Sequence, residues 1–288
     1  MFIVIGLLVV FGSIIGGYVM HHGEIAVLIQ VSEFIIIGGA AIGALIVGNS
    51  PRIVKQCLVQ TLALLKPSPY GKAAFEELMQ VLYDMFQTAR REGMIVLESH
   101  IETPETSEIL KRYPGFLANH HAVSLLADTL KVLLTGTVED HHLSEILELD
   151  LEKHHEEATA VPTALTKVAD ALPGFGIVAA VLGVIVTMGS INGAAAEIGA
   201  KVAAALVGTF LGILLSYGVV GPLANAIETR VKLEHMYLSC IRTALLSFAR
   251  GDSPMTSVEF ARRGIEPEER PSFVELEGLT RKRAAVAA

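Results

Sequence analysis

Histidine is the side chain that titrates closest to neutral pH, and eight of the ten histidines here stand as adjacent pairs. The pairs are His21–His22, His120–His121, His141–His142 and His154–His155. In "DLEKHHEE", Asp150 and His154 are four residues apart, which on a helix places a carboxylate and an imidazole on one face, as metal ligands often are. No HExxH and no cysteine-bearing pattern accompanies them, and Cys57 and Cys240 are far apart. The expectation is therefore a surface or structural role for these histidines, with no metal site and no cofactor. No nucleotide-cradling loop, no nucleophile beside a base and no acid–base pair is present, so the chain reads as no enzyme. A formal net charge of -8 argues against nucleic acid as a partner.

A second cluster has binding rather than catalytic chemistry. "ARREGMIVLESHIE" carries Arg90, Arg91, Glu92, Glu98 and Glu102. Read as one helix, at about 100° per residue, it places Arg91 and Glu98 about 20° apart and Arg90 about 80° from Glu98. One exposed sector would then present both signs of charge. Such a sector is either a solvated helix face or a docking surface for a partner of complementary charge.

The elements that position these residues are set by hydrophobicity. Hydrophobic residues make up 52% of the chain and charged ones 18%, against roughly 25% charged in ordinary soluble domains, and the mean hydropathy is +0.54. This composition implies an integral membrane protein. Four stretches approach the roughly 20 apolar residues a bilayer requires: Phe2 to Met20, Val31 to Gly48, Pro173 to Ile191 and Val202 to Pro222. The first lacks a basic start and a small-residue cleavage pattern, so it reads as a retained anchor rather than a secretion signal. The connections between spans one and two and between spans three and four hold almost no Lys or Arg. Eleven basic residues fall between Pro51 and Leu172, and ten follow Pro222. The positive-inside rule then places both termini in the cytoplasm.

The spans themselves are nearly free of titratable groups. Glu33 alone stands near one, expected at the outer edge of span two, and the polar groups at depth are Thr187, Thr209, Ser216 and Tyr217. Such hydroxyls can line a wet path but cannot cycle a proton near neutral pH. If protons cross through this chain, the carrier must come from another polypeptide. Small residues recur as a stripe in span four (Ala204, Gly208, Gly212, Ser216) and in span three (Gly176, Ala179, Ala180, Gly183), with Gly39 and Gly43 in span two. They predict close helix contact, either within the chain or with copies and partners. Pro173 and Pro222 are expected at the cytoplasmic ends of spans three and four, where proline is either a helix start or a hinge.

Residues 51–171 read as cytoplasmic helices broken at Pro51, Pro67/Pro69, Pro104, Pro114 and Pro162. One of them buries Phe75, Leu78, Met79, Leu82, Phe86 and Ala89 at 3/4 spacing. The tail carries a matching stripe, Val231, Leu238, Ile241, Leu245 and Phe248, stopped by Gly251 and Pro254, and is expected to pack on those helices. The expected fold is all-α and polytopic: residues 1–50 hold spans one and two, 51–171 a cytoplasmic helical domain, 172–225 spans three and four, and 226–288 a cytoplasmic helix and tail.

Along nearly its whole length the chain resembles the MotA family of flagellar stator subunits, within the MotA/TolQ/ExbB proton channel superfamily. The resemblance rests on "ARREGMIVLE", "LPGFGIVAAVLG" and "VGTFLGILLSYGVVGPLA", with "GGYVM" and "ERPSFVELE" toward the ends. It implies an inner-membrane pentamer around a MotB-like single-span partner whose aspartate carries the ion. It also implies a channel lined by spans three and four, with Ala180 and Thr209 along it. By the same resemblance Arg90 and Glu98 face the rotor protein FliG, with Arg91 an added charge beside them, and Pro173 and Pro222 couple ion flow to movement. Ala180 stands where sodium-driven relatives tend to carry threonine, which implies a proton rather than sodium. The alternatives are a TolQ/ExbB-like channel subunit energising an outer-membrane system, and a non-conducting scaffold.

Overall fold

In the computed structural model, residues 2–136, 138–189 and 191–284 are described, and all regular structure among them is helical. The chain divides into two compact units, one of Met1–Pro67 with Glu157–Thr229, the other of Ser68–Glu156 with Arg230–Ala288.

The first unit holds the apolar helices. Helices α1 (Phe2–Met20), α2 (Ile25–Leu28), α3 (Val31–Gly48) and α4 (Pro51–Ala63) follow one another. Helices α1 and α3 coincide with the first two expected spans. Four helices are long and apolar enough to cross a membrane, and α1 buries none of its residues within this chain. Lipid or other polypeptides must therefore cover its outer face, since Phe2, Leu8, Val9 and Met20 would otherwise be unfavourably hydrated. Helix α4 begins as its sequence dictates: Ser50 caps it by accepting from the Ile53 N–H, and Pro51 sits in the first turn where no partner for an N–H is missed.

The second unit is a helical core around α5 (Lys72–Glu92), whose predicted apolar face is fully buried. The short helices α6 (Glu98–Glu102) and α7 (Pro114–Leu117) lead into α8 (His120–Leu134). The other long elements are α9 (Asp140–Met188), α10 (Ala195–Leu215), α11 (Gly221–Ala249), α12 (Pro254–Arg263) and α13 (Phe273–Ala284). The second half of α11 joins this core through Leu238, Ile241 and Leu245, and Phe248 stacks on Phe86 at 4.3 Å between ring centroids. Polar clamps fasten the same core: Arg250 grips Asp140 through both carboxylate oxygens at 2.9 and 3.0 Å, and Arg242 reaches Ser144 and Glu148.

Four expectations are corrected. Helix α9 runs unbroken for 49 residues, about 74 Å, so Pro162 does not end a helix and Pro173 does not start one. Proline inside a helix removes one hydrogen bond and crowds the carbonyl four residues earlier, and both effects can be absorbed where neighbouring groups supply a substitute donor. Span four likewise begins earlier than expected, at Ala195, because Glu197 and Lys201 pair one turn apart at 2.9 Å and carry the helix through its polar start. Finally, "ARREGMIVLESHIE" is not one helix. Helix α5 stops at Gly93, whose φ of +95° suits glycine, a 3₁₀ turn spans Met94–Leu97, and α6 starts at Glu98. The helical angle between Arg91 and Glu98 therefore does not hold. The expected span three ended at Ile191; its helix ends at Met188, and Ser190 lies outside the described residues.

Candidate functional site

Within the first unit, the apolar half of α9 and helix α10 pack backbone against backbone. A Cβ added at Gly212 would sit 2.7 Å from the Leu172 carbonyl oxygen and 2.9 Å from the Gly176 Cα. One at Gly176 would sit 2.8 Å from the Gly208 carbonyl oxygen. Only hydrogen at both positions permits this approach, which in lipid is a principal source of helix association. The stripes of spans three and four are thus satisfied inside the chain, with one shift of register: Gly183 meets Ala205 rather than Ala204. Span two differs. Nothing among the described residues lies near a Cβ at Gly39 or Gly43, so this pair makes no close contact there.

Ala180 and Thr209 are both half-buried and flank this contact, the Ala180 backbone nitrogen lying 3.2 Å from where a Gly208 Cβ would be. The same spot is 2.5 Å from Oε2 of Glu33. Glu33 stands in the first turn of α3, at the edge of span two as expected, and is buried against α10 at Gly208; its Oε2 has no hydrogen-bond partner among the described residues. It is the single Asp, Glu, Lys or Arg within 31–48, 173–188 and 202–215, and it is buried beside the expected channel residues Ala180 and Thr209. The signal was available in the sequence as the one charge among apolar residues; its burial was not, because position along α3 does not reveal which neighbour packs on it.

The two prolines are placed differently from one another. Pro173 is within α9. Pro222 is exposed in the first turn of α11, immediately after a π-helical turn, Ser216–Val220, that separates α10 from α11. In that turn the Gly221 N–H donates to the Ser216 carbonyl, five residues back instead of four. The wider turn accommodates the crowding that proline imposes on the carbonyl four residues before it. The Ser216 hydroxyl, itself buried, donates to the Ala169 carbonyl of α9 at 2.7 Å. The segments preceding both prolines are therefore joined by one hydrogen bond.

In the second unit, Arg90, Arg91 and Glu98 are all exposed. Arg90 donates through Nη1 to the Gly251 carbonyl at 3.1 Å, whereas Arg91 and Glu98 make no side-chain hydrogen bond or ion pair among the described residues. In the same unit, one histidine doublet and half of another make ring or polar contacts with other helices. His121 meets His154 at 4.5 Å, His155 meets His235 at 4.6 Å, and His154 Nε2 lies 3.7 Å from Glu234. Burial, then the neighbouring His155 and His154, hold the His235 pKa below its ordinary value. Among the described residues the one group of three potential ligands is Glu139, His141 and His142, all exposed. Cys240 is buried, its Sγ bonded to the Ala261 carbonyl, and burial pushes the thiol up to about 12, so it is inert as a nucleophile.

Comparison with known proteins decides the family. Over 277 residues the chain is 40% identical to Motility protein A of Salmonella typhimurium, covering 96% of this chain and 94% of that one. The chain belongs to the Motility protein A family. Residues 4–93 match the family described as Motility protein A N-terminal, and residues 118–239 match the MotA/TolQ/ExbB proton channel family. Chemotaxis protein LafT of Vibrio parahaemolyticus is 37% identical across 95% of this chain and 96% of its own. Among solved structures, that of C. jejuni MotAB superposes with a TM-score of 0.76 at 19% identity, covering 94% of this chain and 98% of that one. The flagellar MotAB stator complex from Bacillus subtilis gives 0.74 at 22%, covering 93% and 97%. These last two share the fold. As a member of this family with four apolar helices, the chain is a multi-pass protein of the inner membrane.

Proposed function

We propose that this chain is a stator subunit of a bacterial flagellar motor, forming with a MotB-like partner an ion channel whose flow is converted into torque. The observation that carries this reading is the 40% identity extending across nearly all of both chains, so that membrane and cytoplasmic parts are shared together. Such a protein performs no covalent chemistry and needs no cofactor. Its work is to offer a path and to move.

The physical reading has three steps. Helices α9 and α10, closed on each other through Gly176, Gly208 and Gly212, form one wall of the path, with Ala180 and Thr209 beside it. Residues 31–48, 173–188 and 202–215 hold no Asp, Glu, Lys or Arg besides Glu33, so a partner's carboxylate takes up and releases the coupling ion. The ion is a proton: Ala180 offers no oxygen where a hydroxyl would help to coordinate sodium. Neutralising a carboxylate in a low-dielectric path changes which helix packing is favoured. The sites at Pro173 and Pro222, where helical bonding is interrupted, are where such a change is absorbed most easily.

The exposed charges Arg90, Arg91 and Glu98 then engage the rotor protein FliG. Exposed pairs are individually weak, which suits contacts that must be made and broken at every step. Helix α1, no residue of which is fully buried within one chain, favours assembly with other copies, and a pentamer around two partner spans is the arrangement proposed. The basic residues after Pro51 and Pro222 set both termini in the cytoplasm.

The deciding experiment is complementation. In a strain lacking Motility protein A and supplied with the cognate MotB-like partner, this chain restores swimming. Collapse of the proton gradient stops the cells, and removal of sodium does not. A strain that stays non-motile with the complex in its membrane would refute the stator reading. Arrest on sodium removal alone would refute the proton.

A further inference from the structure

Proline within a buried helix leaves one acceptor unserved at a fixed address, the carbonyl four residues earlier. For Pro173 that is Ala169, which is buried, and a buried carbonyl without a donor costs on the order of 1–3 kcal/mol in proteins and more where no water can reach it. The donor found there comes from a different helix: the Ser216 hydroxyl at 2.7 Å. Ser216 is also the first residue of the π turn that precedes Pro222, and its own carbonyl accepts the π-type bond from Gly221. One residue thus completes the bonding that Pro173 interrupts and begins the irregular turn that Pro222 requires.

We propose that Ser216 is a positioning residue for torque generation, a latch whose hydroxyl stands in for the missing N–H of Pro173 and so holds the π turn of span four against α9. The proposal rests on the stator reading above for what the latch serves, and on geometry alone for its existence. A serine hydroxyl in a helix has a standing alternative, the carbonyl one turn back in its own helix, here that of Gly212. The latch can therefore exchange between two acceptors without ever being left unbonded, and an exchange of that kind allows α9 and the span-four turn to slip and re-engage. Without the hydroxyl, movement at one proline is no longer transmitted to the segment bearing the other.

The pair of residues defines its own test. In Pro173→Ala the restored N–H can bond the Ala169 carbonyl directly, and the Ser216 hydroxyl becomes dispensable there. The full chain is purified with its MotB-like partner as wild type, Ser216→Ala, Pro173→Ala and the double variant, and the melting midpoint is measured for each. Ser216→Ala is expected to lower the midpoint by about 2–4 °C in the wild-type background and to leave it unchanged in the Pro173→Ala background. Equal lowering in both backgrounds would overturn the latch. If Ser216→Ala prevents assembly, its recovery in the double variant supports the proposal and continued failure overturns it. The second readout is the torque step added by one stator unit to a tethered motor, which does not depend on how many units survive. Ser216→Ala is expected to reduce that step several-fold, and an undiminished step would restrict Ser216 to a structural role and defeat the proposal. A wild-type chain that never turns a motor would count against the stator reading, while the melting comparison would still judge the bond.

Discussion

Arg90 and Arg91 are neighbours with the same charge and different occupations. Arg90 is partly engaged by the Gly251 carbonyl, which belongs to the turn between α11 and α12, where glycine takes a φ of +91°. Arg91 has no such bond among the described residues. A charge reversal at Arg90 therefore removes an internal bond as well as a docking charge, whereas at Arg91 it removes a docking charge alone. Arg91→Glu is expected to reduce swarm expansion with no change in the melting midpoint of the purified complex, and Arg90→Glu to reduce both. Equal midpoints for the two variants would show that the Gly251 bond contributes nothing. The charges themselves were legible in the sequence, as was their exposure. Their geometry was not, because Gly93 ends α5 between them and turns a helical angle into a relation across a bend. A glycine just after the last periodic apolar residue was the available warning.

Helices in this protein are held by two different kinds of contact, and each fails in its own way. Where α9 meets α10 the backbones touch, so Gly212→Ala forces a Cβ onto the Leu172 carbonyl and should cost about 1–3 kcal/mol. Less stator in the membrane, by immunoblot, is the expected result. Gly43→Ala meets nothing among the described residues and should be neutral, unless copies of the chain close on that face, so its immunoblot also reports on assembly. The second kind is polar and partly buried, at the histidines where α9, α8 and α11 converge in the second unit. The His235 pKa is lowered in the folded state, so near neutrality it is uncharged there, while the unfolded chain takes up a proton as pH falls through about 6.5. Its contribution is complete above that value and is lost as pH falls from about 6.5 toward the lowered folded value. The melting midpoint should therefore drop as pH falls below about 6.5, and His235→Gln should flatten that drop. An equally steep profile in the variant would assign the acid sensitivity to other groups. The apolar spacing of α1, α3, α5 and α11 was readable because it depends on the local period alone. The continuity of α9 through Pro162 and Pro173 was not, since it depends on donors such as Ser216 that lie 47 residues away in the chain.

At the scale of the whole molecule, the decisive property is a division of chemical labour. The helix interiors provide backbone, small side chains and a few hydroxyls, and the one carboxylate, Glu33, is pinned against α10 rather than spaced along a route. A single buried carboxylate can bind one proton, yet passage across about 30 Å of hydrocarbon needs a relay or a carrier that moves between two exposures. In the proposed ring of these chains a mobile carboxylate on a partner span would meet that need, because rotation or rocking of the ring would alternate what the carboxylate faces. The family resemblance implies this arrangement, and the burial of Glu33 sharpens what must be tested. Liposomes holding this chain alone should show proton flux no greater than protein-free vesicles, by an entrapped pH dye under an imposed potential. Liposomes holding the complex with an unplugged MotB-like partner should leak, and replacing the partner's membrane aspartate with asparagine should close them. Substantial flux through the chain alone, abolished by Glu33→Gln, would instead make Glu33 a carrier and the chain a channel in its own right.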